Sequence, residues 1–126
     1  MTAYEALTAE YDYLIIKEKR LNKHGGLYSN KCIWLKKSES EKRKVCLLAE
    51  EIGHHLCTVG NILDQTKIIN QKQEHKARAW AFRKLLPYDD IVFALKYGYR
   101  TTYDLAEHFG LDEEFVKDCL RYYRFI

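Results

Sequence analysis

At 126 residues and 15.0 kDa the chain fits one compact domain spanning residues 1–126. A domain of this size buries roughly 65% of its unfolded surface and needs no disulfide staples. A composition of 47% hydrophobic and 31% charged residues, with one Pro and six Gly, excludes collagen-like, low-complexity and broadly disordered classes.

In chain order, residues 2–10 lean towards a short helix. Tyr13-Leu14-Ile15-Ile16-Lys17 is β-rich and reads as a strand. His24-Gly25-Gly26 supplies turn residues. Leu27-Tyr28 and Cys32-Ile33-Trp34-Leu35 then read as two strands of a hairpin about Ser29-Asn30. Ser38 or Ser40 reads as a helix N-cap, with Glu39 and Glu41 where the helix dipole favours acids. Val45, Leu48, Ile52 and Leu56 recur at three- and four-residue spacing and predict a helix over 40–57, ended by Thr58-Val59-Gly60-Asn61. A second helix is predicted over 71–86, with Ala77, Ala81 and Leu85 on one face and Pro87 as its stop. Shorter helices at 88–97, 102–109 and 112–123 complete a helical second half. Trp34 and Trp80 read as core.

No apolar run approaches the roughly 18 residues of a membrane helix. The first residues lack the basic flank and apolar core of a signal peptide, so a cytoplasmic protein is expected. Cys32, Cys46, Cys57 and Cys119 are too scattered for a zinc ribbon and are expected as free thiols. Residues 17–44 carry ten Lys and Arg against three Glu, whereas residues 101–126 carry six acids against three bases. The basic third suits a solvated face or an acidic partner.

The informative segment is Leu48-Ala49-Glu50-Glu51-Ile52-Gly53-His54-His55. It has the form of the zinc-peptidase helix H-E-x-x-H, with Glu50 at the first His position. Residues i and i+4 share one side of a helix, so Glu50 and His54 can hold one ion. Glu51, rotated about 100°, can reach a water and act as general base. The rival frame, Glu51 with His55, would put Ile52 where the base belongs. Glu74, twenty residues beyond His54 on the next helix, is the candidate third ligand, with His75 its rival. His55 reads as a supporting residue and Cys57 as packing. Gly53 in mid-helix costs about 1 kcal/mol relative to Ala, which points to another backbone or a substrate approaching it closely.

The string Glu74-His75-Lys76-Ala77-Arg78-Ala79-Trp80-Ala81, ending in Leu85-Leu86-Pro87, resembles a block of the ImmA/IrrE metallopeptidases. With Leu48–His55 before it and Tyr103–Phe109 after it, the resemblance spans residues 12–125. It implies a zincin-like α+β fold: a small antiparallel sheet (within residues 1–38) packed on the metal-bearing helix, with residues 39–126 helical. It implies a zinc-dependent endopeptidase of bacterial or phage origin that cuts a helix-turn-helix repressor to release silenced genes. Glu50, His54 and Glu74 would be the metal ligands and Glu51 the base. Glu50 in place of His departs from the pattern; two carboxylates and one imidazole would also suit Mn2+ or Fe2+. That departure motivates the alternative, a non-catalytic anti-repressor that binds the repressor with the same fold. His24, Tyr28 and His75 are candidates for stabilising the oxyanion.

Ala106, Gly110 and Val116 have the spacing of a DNA-binding helix-turn-helix. The would-be reading helix carries Asp112, Glu113, Glu114 and Asp118, which repel a phosphate-lined groove, so direct nucleic-acid binding is not expected. The pair reads as a packing or substrate-docking unit.

Overall fold

A computed structural model describes residues 2–19, 26–29, 31–57 and 67–126. Among them run helix α1 (Ala3–Glu10), strands β1 (Ile15–Lys19), β2 (Gly26–Ser29) and β3 (Cys32–Lys36), and helices α2 (Glu41–Cys57), α3 (Lys67–Leu85), α4 (Tyr88–Lys96), α5 (Thr102–Phe109) and α6 (Glu113–Tyr122). His24 and the helix-ending residues 58–61 lie outside the described residues.

The expected antiparallel sheet is corrected. The strand order is β1-β3-β2, and β1 runs parallel to β3, with Ile15 opposite Cys32 and Lys17 opposite Trp34. The β2–β3 hairpin is antiparallel, Ser29 facing Cys32, so the sheet is mixed. The reason lies in β3, whose Ile33 and Leu35 are fully buried. The most apolar strand takes the central position, where both of its backbone edges are bonded. The edge left beside it is taken by β1 in the parallel direction. Trp34, expected in the core, alternates onto the other face and is only half-buried.

Helix α2 packs against β2 and β3 on one side and α3 on the other, so it forms the spine of the molecule. Ser40 caps it, its Oγ accepting from Arg43 N at 3.2 Å. Val45, Leu48, Ala49 and Ile52 form the buried stripe, whereas Leu56, expected to extend it, is exposed. Along α3, Ala77 and Ala81 are fully buried; small side chains there let the two helices approach closely.

The C-terminal helices close the core. Thr101 caps α5, and Gly110 ends it in the left-handed region at φ 69°, with Leu111 N bonded to Ala106 O at 3.0 Å. Asp112 caps α6, accepting from Phe115 N at 3.2 Å. Phe115 is buried against Phe82, their ring centroids 5.1 Å apart. The charge asymmetry of the sequence is answered within the chain. Lys42 pairs with Glu107 and Arg43 with Asp112 across the two segments, while Lys44 pairs with Glu18 inside the basic one. No described helix is long and apolar enough to cross a membrane.

Candidate metal centre

The site forms where the last two turns of α2 cross α3. A Cβ on Gly53 would stand 2.5 Å from the carbonyl oxygen of Ala77 and 3.0 Å from its Cα. Only glycine permits that approach, and the close neighbour is another backbone, one of the two possibilities its mid-helix position raised. One residue after Gly53, His54 faces Glu74, three residues before Ala77. His54 Nε2 lies 2.8 Å from Glu74 Oε2. Two of the candidate ligands, twenty residues apart in sequence, are therefore in contact.

Glu50 lies one turn earlier on α2, and its Oε1 is 4.0 Å from Arg78 Nε on α3. Glu51 is half-buried beside it. Among the described residues, no group of three or more His, Cys, Asp or Glu is placed to hold a metal ion. The pair His54–Glu74 is formed, and Glu50 is turned towards Arg78.

The remaining candidates are placed as follows. His55 points away from His54, its Nε2 hydrogen-bonded to the Tyr13 hydroxyl at 3.1 Å. Cys57 donates weakly from Sγ to Lys76 O at 3.9 Å, a packing contact between helices. His75 is exposed on α3, and Tyr28 lies in β2.

The sequence matches the family described as Peptidase_M78: IrrE N-terminal-like domain over residues 9–121. The chain belongs to the IrrE N-terminal-like family. Membership gives this IrrE-like chain a peptidase-type role in general and a family-level association with zinc. No curated protein matches it.

The electrostatics of the IrrE-like site bear on what it can hold. Burial raises the Glu50 carboxyl above the usual carboxylate range; Arg78 and Arg43 oppose the rise and Glu74 adds to it. Glu51 is pushed up to about 7, chiefly by burial, with Glu74 and Glu50 adding to the effect and His54 opposing it. The hydrogen bond between His54 and Glu74 raises the imidazole and lowers the Glu74 carboxyl. Glu50, His54 and Glu74 are oxygen and nitrogen donors of the types a divalent cation takes, gathered with Glu51 at a partly buried spot.

Two residues of the surroundings escaped the sequence reading. Arg78, which approaches Glu50 on one side and Asp118 on the other, sits four residues after Glu74, a helical spacing that could have flagged it. Tyr13 reaches His55 across forty-two residues of sequence, and no local pattern announces such a contact.

Proposed function

We propose that the chain is a zinc-dependent endopeptidase in which Glu50, His54 and Glu74 hold the metal and Glu51 is the general base. The observation that carries this reading is the 2.8 Å His54–Glu74 contact across the α2–α3 crossing, with the raised Glu51 carboxyl beside it. A divalent ion there would supply Lewis acidity to the scissile carbonyl and lower the pKa of water. Glu51, poised near neutrality, takes the proton from the attacking water and hands it to the leaving amine. An extended substrate segment adds to the outer edge of β1, whose first residue, Ile15, is exposed two positions after the Tyr13–His55 contact. The proposed substrate is a helix-turn-helix repressor in a bacterial or phage cytoplasm, as the ImmA/IrrE resemblance implies.

One observation favours a second reading. Glu50 leans on Arg78 rather than on the His54–Glu74 pair, which suits a protein that captures the repressor without cutting it. Elemental analysis of zinc-replete protein, together with incubation of the candidate repressor with and without chelator, separates the two. One zinc per chain and chelator-sensitive fragments, both with wild-type protein, support the peptidase. Glu51→Gln should keep the zinc and lose cleavage. A stable complex without fragments supports the anti-repressor, and full cleavage by Glu51→Gln removes the role given to that residue.

A further inference from the structure

Arg78 belongs to two neighbourhoods. One side faces Glu50; on the other, its Nη2 lies 2.8 Å from Asp118 Oδ2 on α6, with the guanidinium carbon 5.6 Å from the Phe82 ring centroid. Asp118 is shared, since its Oδ1 also accepts from Arg121 Nη1 at 3.2 Å. These residues, with Lys76 and Tyr122, line an open groove of about 520 Å3 between α3 and α6. Its floor is aromatic, the Phe82 and Tyr122 ring centroids lying 5.3 Å apart.

The charge balance of the groove is one-sided. Among the lining residues Lys76, Arg78 and Arg121 stand against the single carboxylate of Asp118, and even with Glu50 approaching Arg78 from outside the groove the cations remain in excess. Unbalanced positive charge over an aromatic floor complements a carboxylate carried next to an apolar side chain. The groove also adjoins the candidate metal centre, because Lys76 and Arg78 follow Glu74 within about one turn of α3. We propose that the α3–α6 groove is a specificity subsite that seats an acidic residue and its apolar neighbour from the peptide substrate. The identity of the occupant rests on the peptidase reading; the charge preference does not. A nucleic-acid backbone is also anionic, but the adjoining candidate site favours a peptide.

The test measures binding rather than turnover. Fluorescein-labelled dodecapeptides of Gly and Ser with a central Glu-Phe, Gln-Phe or Lys-Phe pair are titrated with the protein as isolated and again in EDTA, and followed by anisotropy. Glu-Phe should bind about tenfold more tightly than Lys-Phe, with or without chelator. Arg121→Glu should erase or invert that preference while the circular dichroism is unchanged. Lys76→Glu, at an exposed position, makes the same test should Arg121→Glu fail to fold. Absence of binding, equal affinities, or a preference that survives both variants overturns the subsite. Displacement of the peptide by a short DNA duplex at lower concentration than by unlabelled peptide overturns it too. Charge-selective binding without zinc uptake or cleavage would leave the groove standing and remove the peptidase reading alone.

Discussion

Gly53 on α2 and Ala77 on α3 meet backbone to backbone, so close that a methyl group on Gly53 would lie 2.5 Å from the Ala77 carbonyl oxygen. This contact sets the distance between the two helices at the point where His54 reaches Glu74. The atom in the way is main chain and cannot rotate aside, so a larger residue must separate the helices. The site therefore depends on a residue that carries no chemistry of its own.

Gly53→Ala should destabilise the protein by about 1–3 kcal/mol, even after the gain in helix propensity. Chemical denaturation measures the loss. The His54 side-chain resonances in the NMR spectrum should shift towards those of a free imidazole. A variant as stable as wild type, with His54 unmoved, would show that the helices do not touch there.

The stability of metal-free protein should fall as pH rises from the carboxylate range towards neutrality. Glu51 holds its proton up to about 7 when folded, so below that value the folded chain binds more protons than the unfolded one. The raised Glu50 acts in the same direction. His54, raised by Glu74, adds stability that is complete below its unfolded value and is lost as pH climbs through its folded one. Glu74 is lowered, so its contribution is present above its unfolded value and disappears as pH drops through its folded one. Maximum stability is expected near about pH 5, with the Glu51 effect on the order of 3 kcal/mol. Melting curves of chelator-treated protein across that range check the slope, and Glu51→Gln should flatten it.

Arg78→Met should leave the fold nearly as stable, since its ion pair with Asp118 is partly exposed and contributes about 1 kcal/mol or less. Removing its positive charge from beside Glu50 should strengthen zinc binding by about 3- to 10-fold. Calorimetric titration reads the change; weaker binding would mean that Arg78 supports the site rather than competing for Glu50.

Phe115→Ala should cost about 3–5 kcal/mol, because the ring is buried and packed on Phe82. Since Phe82 also floors the α3–α6 groove, the same variant should loosen Tyr122, read as a shift of its ring resonances in the NMR spectrum. A loss below about 1 kcal/mol would show that α6 is not anchored through this ring.

Much of the helical half was legible because its signals are local. Ser40 accepts from a backbone N–H in the first turn of α2 and Pro87 follows α3, as read, whereas the caps at Thr101 and Asp112 were not named from the sequence. The antiparallel pairing of β2 with β3 was legible for the same reason. Helix α3 begins at Lys67, four residues before the expected start. The strand order was not legible: turn residues say where a chain reverses, not which strand is inserted between which.

The sequence by itself determined the candidate donors, because helical spacing ties Glu50 to His54 and puts Glu51 beside them, whatever the rest of the chain does. Only the tertiary structure decided which of them meet. The bare backbone of Gly53 brings α3 near enough for Glu74 to touch His54, while the guanidinium of Arg78 draws Glu50 aside. Spacing along one helix is fixed by its 3.6-residue turn. The distance between two helices depends on which side chains, or which lack of one, lie between them.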